Sequence, residues 1–156
     1  MTFIKSFLRS LHSSIEYLTL GALNIPKNAV RAICNAPAFK GLEYFFITEP
    51  AYPTGAFWIE ALMEAKCTSL KELYIRYASL APLQIDEDLF FNFVKSQSEG
   101  FQITIRICEG MNLDRTVELR NELLDKHFEC VKLCPRKRGV IICYGDLKWY
   151  YVLRVD

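Results

Sequence analysis

Apolar positions along the first half of the chain fall into three matching blocks, IEYLTLGALNI (15–25), LEYFFITEPAY (42–52) and LKELYIRYASL (70–80). Each block has an apolar or aromatic residue at positions one, four, six and eleven. These are Ile15, Leu18, Leu20 and Ile25; Leu42, Phe45, Ile47 and Tyr52; and Leu70, Leu73, Ile75 and Leu80. The starts lie 27 and then 28 residues apart, and a proline follows each block: Pro26, Pro53 and Pro82. The alternation at positions four and six predicts a strand with one buried face. Beyond each proline the period lengthens to that of a helix, through Val30, Ile33 and Cys34, then Phe57, Trp58, Ala61, Leu62 and Ala65, then Leu89, Phe90, Phe93 and Val94. Thr54 and Asp86 are predicted N-caps, and Asp86, Glu87 and Asp88 put negative charge at the positive end of the third helix. Gly41 and Gly100 lead back to the next strand.

A fourth, degenerate unit follows: FQITIRI (101–107), starting 31 or 32 residues after the third strand, and a helix through Leu113, Val117, Leu119, Leu123 and Leu124. The tail segments HFECVKL, VIICYG and KWYYVLRV are separated by CPRKRG and by a turn at Gly145-Asp146-Leu147, and predict an antiparallel meander. The expected domain is single, over 1–156: an N-terminal capping helix in 1–14, strand–helix repeats in 15–126 and antiparallel strands in 127–156. The capping helix would carry Phe3, Ile4, Phe7, Leu8 and Leu11 on one stripe. With Lys5 and Arg9 as its only charges, that stretch has too few basic residues for a mitochondrial presequence. It lacks the unbroken apolar centre of a secretory signal.

A strand–turn–helix unit of about 28 residues resembles the ribonuclease-inhibitor type of leucine-rich repeat. One strand and one helix cannot bury their apolar faces alone, so units stack, strands on the inner wall and helices outside. The expected fold class is α/β: a short leucine-rich-repeat-like solenoid of parallel strands and outer helices, capped by the C-terminal antiparallel β-meander.

IEYLTL, LEYFFI and LKELYI, with LQIDEDLFFNFVKSQSEGFQITIRI, resemble the leucine-rich-repeat-like, F-box-associated region of nematode-type F-box proteins over residues 15–107. The resemblance implies an interaction module that holds a protein target while an F-box links to a Skp1–cullin ubiquitin ligase. The residues ahead of Ile15 are too few for an F-box, so a Skp1-like adaptor is expected as a partner only if an F-box is supplied elsewhere. Position nine of the blocks, where leucine-rich repeats usually carry an asparagine that hydrogen-bonds along the stack, holds Leu23, Pro50 and Ala78.

With positions four and six buried, positions three, five and seven face the open, concave side. They are Tyr17, Thr19 and Gly21; Tyr44, Phe46 and Thr48; and Glu72, Tyr74 and Arg76. The expected partner-binding residues are Tyr17, Tyr44, Phe46, Thr48, Glu72, Tyr74 and Arg76, an aromatic cluster beside an arginine, which is the composition of a binding hot spot. Covering by the N-terminal helix, by the 48–55 loop or by a partner subunit is the competing expectation.

Charge and candidate chemistry narrow the classes further. Nineteen basic against 18 acidic side chains leave a net charge of +1, which gives no bulk attraction to nucleic acid or an acidic membrane. No apolar run is long enough to span a bilayer. Pro135-Arg136-Lys137-Arg138-Gly139 is the one basic cluster and reads as a solvated hairpin loop. Of the six cysteines, Cys34, Cys67, Cys108 and Cys143 lie in or beside apolar runs. That use of cysteine points to a reducing compartment, cytoplasmic or nuclear. His127, Cys130 and Cys134 lack paired zinc spacing, and Cys130 and Cys134 would stand about 13 Å apart in an extended segment, so no metal and no cofactor are expected. No phosphate loop, nucleophile elbow or His-Glu-x-x-His occurs. His12 falls on the polar side of the first helix, His127 reads as a solvated helix-end imidazole, and Asp86 and Asp88 cap rather than catalyse. A non-enzymatic module is therefore expected. The alternatives are a small α/β enzyme with a cleft at the strand C-terminal ends, or a truncated paralogue without activity.

Overall fold

The computed structural model describes residues 6, 9–11, 13–21, 24–49 and 54–154. Seven strands form one sheet in the order β1-β2-β3-β4-β6-β7-β5. They are β1 (Tyr17–Leu20), β2 (Tyr44–Thr48), β3 (Glu72–Ala78), β4 (Gln102–Ile107), β5 (Phe128–Val131), β6 (Gly139–Tyr144) and β7 (Leu147–Leu153). The first four run parallel in chain order. Tyr17 stands opposite Tyr44, Tyr44 opposite Glu72, and Glu72 opposite Gln102. The three predicted strands therefore lie side by side in the predicted register. The fourth joins 30 residues after the third rather than 31 or 32.

The connections carry α1 (Lys27–Cys34), α2 (Gly55–Glu64), α3 (Glu87–Ser96) and α4 (Leu113–Leu124). Their apolar faces share one core with the inward strand residues. Val30, Trp58, Phe90, Phe93 and Leu123 pack in the same cluster as Phe45, Ile47, Leu73, Ile75, Ile103 and Ile105. Right-handed crossovers between parallel strands added in one direction place successive helices on one side, and α1 to α4 share one core there, which leaves the other face of the sheet uncovered by these four helices. Among the described residues no helix is long and apolar enough to cross a membrane.

Local signals account for the helix ends. Asp86 caps α3, its Oδ1 accepting from Leu89 N–H at 2.9 Å. Thr54 takes an extended conformation but makes no side-chain cap bond to α2. Instead, the carboxylate of Glu49, at the end of β2, accepts from Gly55 N–H at 2.9 Å. Helix α2 stops in a Schellman turn: Cys67 N–H donates to Leu62 C=O and Lys66 N–H to Met63 C=O, with Lys66 at φ 54°.

Polar side chains tie neighbouring units at positions other than the ninth. At the strand N-terminal edge, Ser69 Oγ donates to Leu42 C=O at 2.7 Å, and Ser98 Oγ donates to Leu70 C=O. Gln97, 2% exposed, accepts from Leu70 N–H and donates to Cys67 C=O at 2.9 Å. At the opposite edge, Glu49 accepts a second bond, from Ser79 N–H at 2.7 Å.

The tail departs from a meander. β6 pairs parallel with β4, and β7 pairs antiparallel with β6 through the turn at Gly145, whose φ of 54° suits glycine. β5 pairs antiparallel with β7 at the sheet's edge, so it does not touch β6. The segment 132–138 is consequently a crossover past β7 and not a hairpin. Pro135 is buried in it against Gly139 and accepts from the Gln102 amide, while Arg138 donates to Gln97 C=O at 2.9 Å. With β4 on one edge of β6 and β7 on the other, the position left to β5 is the outer edge of β7. The predicted N-terminal helix falls largely outside the described residues, and so does His12. Leu11, within the described set, packs on the core.

Candidate functional site

The seven residues expected to meet a partner are brought together on the open face by strand register. Residues at positions three and five sit on neighbouring strands about 4.8 Å apart, so their rings meet in pairs. Tyr17 and Tyr44 stack with centroids 4.4 Å apart and planes 11° apart. Phe46 and Tyr74 lie 6.4 Å apart in the next row. Tyr17 is 62% exposed, whereas Tyr44, Phe46 and Tyr74 are half-buried by their neighbours. Thr48 lies opposite Arg76, Glu72 stands between Tyr44 and Gln102, and the Arg76 guanidinium lies 5.6 Å from the Tyr74 ring centre.

Three further residues complete this face. Arg106, on β4, donates from Nε to the Tyr74 hydroxyl at 3.1 Å and from a terminal nitrogen to Gly145 C=O at 3.5 Å. The hydroxyl contact is the main reason its guanidinium holds its proton more tightly than usual. Thr104 continues the Phe46–Tyr74 row. Tyr77, 59% exposed, sits at φ 52° in a bulge that shifts the β3–β4 register between Ile75 and Ala78. The bulge turns both Arg76 and Tyr77 outward and sets them against the single residue Arg106. Arg106 was legible from strand alternation in FQITIRI. The bulge was not, because its left-handed position is filled by tyrosine instead of glycine.

On the far side the open face closes over β6, where Gly139, Ile141 and Cys143 are all buried. Burial pushes the Cys143 thiol up, partly offset by Arg106 on one side and Lys148 on the other. The face is thus accessible over β1 to β4 and again at Lys148 on β7, with β6 buried between them.

The other residues singled out from the sequence serve packing. His127 is not a solvated helix-end imidazole: it stacks on Phe91 at 4.2 Å, with Nε2 at 2.7 Å from Asp88 Oδ1, and is half-buried against α3. Lys126 bonds both Glu87 and Asp88 at 3.0 Å, so the acidic turn docks the end of the α4 segment as well as capping α3. Cys34, Cys67 and Cys143 are buried free thiols, while Cys130 and Cys134 are exposed. On the helix side, a groove between the turn after β3 and α4 is lined by Leu83, Ile85, Glu87, Arg115, Leu119 and Glu122. It brings two carboxylates and an arginine together without a histidine or thiol.

The fold and face define a mostly parallel α/β sheet, helix-covered on one side and aromatic and cationic on the other. Compared with family models, with curated proteins and with solved structures, the chain matches none.

Proposed function

We propose that this protein is an interaction module that holds a protein partner on the open face of β1 to β4. The stack reads as a short leucine-rich-repeat-like solenoid, and the sharpest form of the proposal is the target-recognition part of an F-box-type ubiquitin-ligase adaptor. A Skp1-like adaptor would then enter only through an F-box supplied elsewhere. The observation that carries the module reading is the pair of aromatic rows, Tyr17 with Tyr44 and Phe46 with Tyr74, standing on the side opposite α1 to α4. Rings on a strand surface lose little freedom on binding and bury large area, which is why aromatic residues and arginine concentrate binding energy.

The test is Tyr44→Ala with Tyr74→Ala, measured by far-UV circular dichroism and by affinity capture from cells with mass spectrometry. The expected result is an unchanged spectrum and loss of a client that wild type retains. A variant that fails to fold would place these rings in the core, and a folded variant that keeps its client would move the interface elsewhere.

A further inference from the structure

The open face is polarised. Along β3 the outward residues run Glu72, Tyr74, Arg76, so charge passes from acidic through aromatic to basic over two strand repeats. At the basic end, two guanidiniums converge on one phenol: Arg76 over the Tyr74 ring at 5.6 Å, and Arg106 on its hydroxyl at 3.1 Å. Lys148, exposed, continues the row beyond Cys143. Arg31, Lys71, Arg115 and Lys126 each have a carboxylate within 3.1 Å, but among the described residues Arg76 and Arg106 form no ion pair. Glu109, beside the Gly145 turn, adds to the field at Arg106 without contacting it.

Like charges gathered around one side chain repel, and the bulge sets Arg76 and Tyr77 against the single β4 residue Arg106. Such an arrangement is complementary to an anion. The Tyr74 oxygen is occupied by Arg106, which leaves its O–H to donate outward. An anion seated there meets the forked donors of two arginines and a phenol, a set matched to the lone pairs of a carboxylate.

We infer that this end of the open face takes the carboxylate of an aspartate or glutamate in an extended segment of the partner, beside an apolar side chain seated on Tyr44, Phe46 and Tyr74. The inference rests on the open face being the docking surface, as proposed above.

Random peptides displayed on phage and selected on the full chain test both. Selected peptides should pair Asp or Glu with an adjacent aliphatic or aromatic residue, and lose binding to the Tyr44→Ala, Tyr74→Ala variant. In synthetic peptides of the consensus, changing the acid to its amide should weaken binding about tenfold or more. Arg76→Gln and Arg106→Gln, each checked by circular dichroism, should shrink that difference, and so should added salt. Peptides that need the tyrosines but show no acidic preference, or an acid-to-amide penalty unchanged in both arginine variants, overturn the carboxylate site while leaving the docking face intact. A phosphoserine peptide binding more than tenfold tighter than the acidic one overturns the choice of a carboxylate. Recovery of no peptide, or of peptides indifferent to the tyrosines, overturns both.

Discussion

Glu49 offers the sharpest test of how the stack is held in register. The side chain is 4% exposed, yet both of its oxygens are used. Oε1 accepts from Gly55 N–H at 2.9 Å and Oε2 from Ser79 N–H at 2.7 Å, so one carboxylate ties the end of β2 to the start of α2 and to the turn after β3. Its own N–H donates to Arg76 C=O at 2.9 Å. Glu49→Ala leaves two backbone donors unpartnered in a buried place, at about 1–3 kcal/mol each. The expected loss is about 2–5 kcal/mol, a large part of the 5–15 kcal/mol typical of a domain. Glu49→Gln keeps the shape but turns an NH₂ toward one of the two N–H groups. One bond is lost and two donors are opposed, for about 1–3 kcal/mol. Urea unfolding followed by circular dichroism reads both losses as a lowered midpoint at unchanged slope. Faster hydrogen exchange at the Gly55 and Ser79 amides should accompany them. Variants that stay within about 0.5 kcal/mol of wild type would refute the reasoning, since that is the range of an unremarkable surface change.

Gly55 sits so close to β3 that an added Cβ would meet Ile75 Cδ1 at 2.7 Å, and Ile75 is fully buried. Gly55→Ala should therefore lower the urea midpoint by the equivalent of about 1–3 kcal/mol, despite alanine's better helix propensity. Thiol labelling of the native protein should modify Cys130 and Cys134 first. Cys34, whose pKa burial pushes up to about 12, should react only on unfolding, as checked by mass spectrometry of labelled peptides. The Asp88 carboxyl is held below its usual range by the hydrogen bond from His127 first and from Lys126 second. A depressed carboxyl contributes stability that is present above its unfolded value and lost as pH falls through its folded one. Wild type should thus lose stability relative to Asp88→Asn below about pH 4, and equal slopes for the two proteins in acid would exclude that contribution.

Much of the open face was legible because β-structure has a period of two. Once Leu18, Leu20, Phe45, Ile47, Leu73 and Ile75 were assigned inward, Tyr17, Tyr44, Phe46, Glu72 and Tyr74 had to face the other way. The near-constant spacing of the blocks then implied register, and Tyr17 does meet Tyr44 across it. Arg106 carries the same signal in FQITIRI, but it counts only when β4 is placed next to β3. The bulge that pairs Arg76 with Tyr77, the docking of His127 on Phe91 and the cap that Glu49 gives α2 all join residues without any shared local pattern.

The sequence by itself determined the strands of the repeats, the helices between them and the side of β1, β2 and β3 that is buried, since these follow from local periodicity and from turn residues at fixed offsets. Only the tertiary structure decided that β6 continues the parallel stack while β5 crosses to the outer edge, and that two arginines share one tyrosine. Strand order and side-chain convergence depend on which elements compete for the same sheet edge. That competition is settled by packing between residues distant along the chain, and no single stretch of sequence encodes it.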